Sequence, residues 1–320
     1  MVSPKVTIVV PSIRQKHILE FLEAWEEEFA DHTVIVVEDN YKCSFKIKHD
    51  NVEHYSWLDI LNQIKDIAWI IPQETSACRS FGIYKAYQNG ADIIISLDDD
   101  CLPAQKEPYF IQGHLDRLNS NTGCLAWEST LGNVSPRGIP YYNLLRNRPV
   151  MLNHGLWTKI PDYDAITQLL ASRVEFNPEY QNKVIPIGKF FPMCGMNVAF
   201  KREIAPLMYH MLQGKNYPYD RFDDIWCGLM MKRICDHLRY TVTSGDPVIV
   251  HDRASNVWSN LRKETPGLEI NDSLWEKLDN VILTKDNVKD CYIELVEKLD
   301  VYGEYWDKLK KAMILRVGLF

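Results

Sequence analysis

Three consecutive aspartates, Asp98-Asp99-Asp100, follow the apolar run Ile93-Ile94-Ile95-Ser96-Leu97. A buried strand that ends in carboxylates brings hard oxygen ligands to the carboxyl edge of a sheet, where open α/β folds bind ligands. That placement predicts a divalent cation and, through it, a nucleoside diphosphate. A bare acidic triplet is also read as a solvated turn, because Asp suits turn geometry. Other strand ends favour the chemical reading. Pro11-Ser12 closes the first apolar run, Glu38-Asp39-Asn40 closes the second, and Arg79 opens the helical segment before the aspartates. A carboxylate such as Asp39 can accept the imide hydrogen of uracil, and an arginine near a helix start can meet phosphate oxygens bidentately. Pro11, Ser12, Asp39, Arg79 and Asp99 are therefore the predicted nucleotide contacts. Asp98 and Asp100 are the predicted metal ligands, joined by His251, which ends the run Val248-Ile249-Val250. The bland alternative for His251 is a satisfied structural histidine.

These residues need elements to hold them at one edge. Val6–Val10, Thr33–Val37, Ala68–Ile71 and Asp92–Leu97 read as short strands, and His17–Phe29, Trp57–Ile64 and Ser76–Gln88 read as helices between them. Strands alternating with helices predict an α/β fold with a doubly wound, mostly parallel sheet. Its strands, covered on both faces, appear as continuous apolar runs. Residues 102–200 are punctuated by Pro136, Pro140, Pro149, Pro161, Pro178, Pro186 and Pro192, a pattern that predicts loops and short strands walling a pocket. A helix is expected from Asp223 to Leu238 and a strand ending at His251. Beyond Pro266 the apolar spacing of Trp275, Leu278, Tyr292, Leu295, Leu299, Trp306 and Leu309 predicts a helical appendage, giving units 1–265 and 266–320.

With 320 residues and 46% hydrophobic content the chain can bury a substantial core. A net charge of -7 without a Lys/Arg block excludes nucleic acid as the expected main partner. No stretch of about 18 apolar residues and no basic-then-apolar leader is present, so a soluble, cytoplasmic protein without a membrane span is expected. Eight cysteines stand singly, which suits reduced thiols rather than a zinc site or a disulfide framework.

The segment Ala77-Cys78-Arg79-Ser80-Phe81-Gly82, followed by the aspartates, resembles the Ala-Arg-Asn-x-Gly-like and Asp-x-Asp pair of the GT-A type nucleotide-sugar transferase fold. Longer strings narrow this. Arg137-Gly138-Ile139-Pro140-Tyr141, His154-Gly155-Leu156-Trp157, Ile160–Ala165, Phe191–Asn197, Tyr219–Trp226 and Ile234–Leu238, with His251 and Ala254-Ser255-Asn256, resemble the reversibly glycosylated polypeptide family, the UDP-arabinopyranose mutases. The similarity is read over about residues 5 to 265, with the tail outside it.

The resemblance implies an Mn²⁺- or Mg²⁺-dependent enzyme that interconverts pyranose and furanose forms of a UDP-sugar and becomes glycosylated on arginine. It also implies a homo-oligomer. By match to the Arg-Gly-x-Pro string the modified residue is Arg137, with Arg146 a displaced second match. A guanidinium holds its proton tightly, so a carboxylate must assist it. Asp223 and Asp224 are the expected helpers, and helix N-capping is their alternative role. His154, Trp157 and Asn197 are the expected sugar contacts, with core packing as the alternative. A glycosyltransferase using a separate acceptor and a self-glycosylated scaffold remain the competing functions.

Overall fold

The computed structural model describes residues 3–104, 109–122, 137–138, 148–160, 162–170, 183–251 and 256–320. Its centre is one mixed sheet. The strands are β1 (Val6–Ser12), β2 (Thr33–Glu38), β3 (Val52–Tyr55), β4 (Ile93–Leu97), β5 (Cys101–Pro103), β6 (Asn121–Thr122), β7 (Arg148–Lys159), β8 (Lys183–Ile185), β9 (Asn197–Lys201) and β10 (Thr241–His251). The main order is β3-β2-β1-β4-β9-β7-β10-β5. β1, β2, β3 and β4 run parallel, β9 is antiparallel to both β4 and β7, and β10 is parallel to β7.

The apolar strands are continuous because both faces are covered. In β1, Val9 joins the core cluster on one face while Val6, Ile8 and Val10 join the cluster on the other. On the first face lie the helices Arg79–Gln88, Asp223–His237, Val288–Lys298 and Glu304–Val317. On the second lie the helices Gln15–Ala24 and Phe110–Asn119. This two-sided arrangement is the α/β class expected from the alternating pattern.

Several segments depart from expectation. Ala68–Ile71 is not a strand: Lys65, at φ +46°, turns the chain out of the Trp57–Ile64 helix, and a 3-10 helix over Lys65–Ile70 seats Ala68 and Ile70 in the core. The place beside β2 is taken by β3, whose polar sequence gave no apolar signal. The expected His17–Phe29 helix is interrupted at Trp25, which is buried with its indole N–H donating to the Cys101 carbonyl at 2.8 Å. Within the region expected to be short and irregular, β7 is a 12-residue strand inside the sheet.

The last helices share the main core. The Val257–Asp279 helix runs through residue 266 without a break, and Leu274, Leu278, Leu295, Trp306, Leu309 and Met313 pack in the cluster that contains Phe81 and Trp226. Every described cysteine is free. Among the described residues no helix is long and apolar enough to cross a membrane.

Candidate active site

The sheet order reverses between β1 and β4: β1 leads outward to β2, whereas β4 leads to β9. Ligands in open α/β sheets bind at such a switch point, beyond the carboxyl ends of the strands. Two adjoining cavities open there. One, of about 260 Å³, is lined by Pro11, Ser12, Arg14, Asp39, Cys78 and Asp99. The other, of about 650 Å³, is lined among others by His154, Trp157, Asp162, Asp223, Asp224 and His251. Thr75, Ser76, Asp98 and Asp100 line both. A cavity of about 450 Å³ elsewhere, around Trp25, Tyr109 and Pro247, gathers none of the predicted residues.

In the smaller cavity, backbone pairing sets the residues side by side. The Asp39 N–H donates to the Ser12 carbonyl at 2.9 Å, joining the ends of β1 and β2. Asp39 Oδ2 accepts the Thr75 N–H at 2.8 Å. Burial raises the Asp39 carboxyl to about 7, against the pull of that hydrogen bond. Asp99 Oδ2 accepts the Ser12 hydroxyl at 2.6 Å, and its other oxygen meets Arg14 at 3.3 Å. Burial also pushes the Asp99 carboxyl up.

Arg79 stands between the cavities but is not a free cation. It is 2% exposed, and its guanidinium donates to the Ser76 carbonyl, the Ser96 hydroxyl, the Gly195 carbonyl and the Asp98 carboxylate. Against the cost of its burial, Asp98 holds the guanidinium above its ordinary value. Its donors therefore organise the cleft rather than face it, which differs from the expected bidentate grip on phosphate.

His251 pairs in register with Cys101 across β10 and β5, which carries it to the aspartate cluster. Its Nδ1 lies 2.9 Å from the Ile160 carbonyl, an atom that only accepts, so Nδ1 carries the proton and the Nε2 lone pair is left for another partner. Asp100 is raised to about 6, first by burial and then by Asp98, with His251 opposing. Among the described residues, the group of metal-ligating side chains whose ligand atoms all lie within 4.8 Å of one another is Glu38, Cys43 and His54. Glu38 there already accepts from Ser44, Phe45, Asn40 and the His54 ring, an arrangement that braces the loop after β2.

Asp223 and Asp224 occupy the first turn of their helix, whose N-cap is Phe222. Asp224 Oδ1 accepts the Ile225 N–H of that turn at 2.9 Å. Its other oxygen, Oδ2, accepts the Gly195 N–H at 2.9 Å, across the cleft wall. Burial, reinforced by Asp223, raises Asp224 to about 8; burial raises Asp223 to about 6, with Arg79 opposing. The helix start thus holds two adjoining carboxyls that burial and repulsion from neighbouring carboxylates both push above their ordinary value.

Of the expected sugar contacts, two reach the cleft. His154 receives the Cys194 N–H on Nε2 at 3.4 Å and lies edge-on to Trp157 at 5.6 Å, and burial lowers it to about 4, so it is neutral. Asn197 does not reach the cleft. It is 0% exposed, its amide donates to the Leu156 and Pro247 carbonyls, and its oxygen faces His114, so it ties β9 to β7 and β10. Arg137 is exposed in a turn with Gly138 and is not among the residues lining the cleft. Arg146, most of the string around Arg137, and Ala254-Ser255 lie outside the described residues.

Cleft residues not singled out from the sequence are Arg14, Asp162, Cys194, Arg221 and Glu264. Asp162, Cys194 and Arg221 do fall inside family-like strings, which was the available signal. Cys194 and Asp162 meet in the cleft, the thiol donating to Asp162 Oδ2 at 2.9 Å.

The family model described as "Reversibly glycosylated polypeptide" matches residues 1–317, so the similarity extends through the helical tail, beyond the limit near residue 265 expected from the strings. The chain is 36% identical to a probable UDP-arabinopyranose mutase 1 of Pisum sativum, covering 98% of this chain and 90% of the pea protein. It is 36% identical to UDP-arabinopyranose mutase 2 of Arabidopsis thaliana, over 98% of this chain and 91% of that protein. It is 35% identical to UDP-arabinopyranose mutase 1 of Oryza sativa subsp. japonica, over 98% and 90% respectively. With a carboxylate-rich cleft at the switch point of its sheet and similarity along almost its whole length, the chain belongs to the reversibly glycosylated polypeptide family.

Proposed function

We propose that this protein is a UDP-sugar mutase interconverting pyranose and furanose forms, with UDP-L-arabinopyranose and UDP-L-arabinofuranose as its substrate pair. One observation carries the reading: a cavity built around Ser12 and Asp39 meets a larger acidic cavity at Asp98 and Asp100, in a chain whose relatives are named UDP-arabinopyranose mutases. The smaller cavity takes the uridine, and the larger takes the sugar.

In this reading Asp39 receives the uracil edge, while Ser12 and Asp99, bonded to each other, shape the floor beside it. Asp98, Asp100 and His251 suit Mn²⁺ or Mg²⁺, because they offer hard oxygens and an imidazole whose Nδ1 is already anchored. Such an ion, when bound, neutralises the diphosphate. Arg79 fixes Asp98 and the Gly195 carbonyl, so the cleft is organised before substrate arrives.

Asp224, held neutral near pH 7, is the proton donor to sugar oxygens, and Asp223 is the acceptor. Trp157 offers an apolar face to the sugar ring. When the C1–O bond breaks, its electron pair stays on the β-phosphate oxygen. Ring opening and reclosure through a different hydroxyl change the ring size, and the phosphate returns to C1. Arg137 is the proposed site of reversible glycosylation by its match to the family string, and it requires loss of a guanidinium proton to a carboxylate.

Incubation of the full chain with UDP-L-arabinopyranose and Mn²⁺ tests the reading. UDP-arabinofuranose is the expected product, and Arg137→Ala is expected to abolish sugar labelling of the protein while UDP affinity is retained. Release of sugar only to an added acceptor, with no furanose formed, would establish a transferase instead.

A further inference from the structure

Resting on the UDP-sugar reading above, the cleft needs a fixed cation for the diphosphate, and Arg79 is already engaged with the protein. Arg221 is not engaged in the same way. It lines the larger cavity with its side chain 31% exposed, and its Nε donates to Glu264 Oε1 at 2.8 Å. Glu264 is itself 4% exposed, and its second oxygen accepts the Ala165 N–H at 2.7 Å, so that carboxylate is anchored on both sides. Among the described residues no hydrogen bond engages the two terminal amino groups of Arg221.

The backbone beneath this side chain is also constrained. Arg221 has φ +69°, the left-handed region that a non-glycine residue takes only when its surroundings enforce it. The enforcement comes from its neighbours. The Phe222 N–H donates to Gln213 Oε1 at 2.8 Å, and the Phe222 ring packs over Gly267, where an added Cβ would fall 2.4 Å from it. Asp220 pairs with Lys263 at 3.3 Å. Strain at one residue, braced on three sides, presents a guanidinium to the cleft.

We propose that Arg221 contacts the β-phosphate of the bound UDP-sugar and stabilises the negative charge left on its oxygen when the bond to C1 breaks, with Glu264 as the positioning residue. The electron pair of that bond passes to the phosphate oxygen, and no proton is needed there. Asp162 and Asp223 stand nearby as acceptors for sugar hydroxyls and Asp224 as a donor, so an anionic phosphate oxygen is the complement of the two unengaged amino groups of Arg221.

Titration calorimetry of the full chain with UMP and with UDP, both in Mn²⁺, tests this against Arg221→Gln, Arg221→Lys and Glu264→Gln. Arg221→Gln is expected to weaken UDP binding about 10- to 100-fold and to leave UMP binding within about twofold of wild type, because the lost contact is to the second phosphate. Arg221→Lys is expected to restore part of the UDP affinity, and Glu264→Gln to give a smaller loss of the same selectivity. Equal losses for UMP and UDP, or unchanged UDP binding, overturn the assignment of Arg221. Absence of UDP uptake by the wild-type protein overturns the underlying UDP-sugar reading and this inference with it.

Discussion

Asp224, buried beside Asp223, carries a carboxyl raised to about 8 because burial and its neighbour both disfavour the charged form. The folded state therefore binds more protons than the unfolded chain between the ordinary value of 3.8 and about 8, and stability falls as pH rises through that window. Asn in place of Asp removes the penalty. In the presence of a chelator, Asp224→Asn is expected to flatten the decline of melting temperature between these limits; an unchanged slope would show that Asp224 is not the group responsible. The same variant is expected to lower kcat about 100-fold or more while retaining UDP binding, as loss of a positioned acid does. The sequence marked Asp223 and Asp224 as catalytic or capping, and Asp224 uses one oxygen on the Ile225 N–H of its own helix start and the other on the Gly195 N–H across the cleft. Asn197 and Arg79 were also visible in the sequence, but their directions were not. Asn197 faces into the sheet, and Arg79 directs most of its donors to protein acceptors.

The Arg79–Gln88 helix positions the cleft through close contact with the sheet. Gly82 lies against β1 and β2, and a Cβ there would fall 2.5 Å from Val9 Cγ1 and 2.9 Å from Val37 Cγ2. Alanine is the better helix former, but the steric overlap opposes it. Gly82→Ala is expected to cost about 1–3 kcal/mol by overpacking and to weaken UDP binding by displacing Arg79 from Asp98. Thermal unfolding and calorimetry check this, and a variant as stable and as tightly binding as wild type defeats the argument. Strands β1, β2 and β4 were legible because their apolar runs are continuous. β3 was hidden by its mixed polar sequence, and the long β7 by the prolines around it.

At the scale of the molecule, the last helices complete the core beneath the helix that begins at Asp223. Trp306 stacks on Trp226 at 5.4 Å with the rings 25° apart, and Trp226 belongs to the helix that begins at Asp223. Trp306→Ala is expected to destabilise the whole protein by about 3–5 kcal/mol in denaturant unfolding, with a single transition. Two separate transitions would instead mark the tail as an independent unit. A chain ending at residue 265 is expected to lack fixed tertiary structure by near-ultraviolet circular dichroism, because it cuts the Val257–Asp279 helix and removes Leu274, Leu278 and Trp306 from the core.

The sequence by itself determined the α/β class, the strand that delivers Asp98, Asp99 and Asp100 to a sheet edge, and the family strings, because periodicity and local order are properties of consecutive residues. Tertiary structure alone decided which donors were already engaged. Arg79 is turned onto Asp98 and Gly195, Asn197 is locked between strands, and Arg221 is braced by Glu264 across 43 positions of chain. Those partners are distant in sequence, and only folding brings their atoms within hydrogen-bond reach.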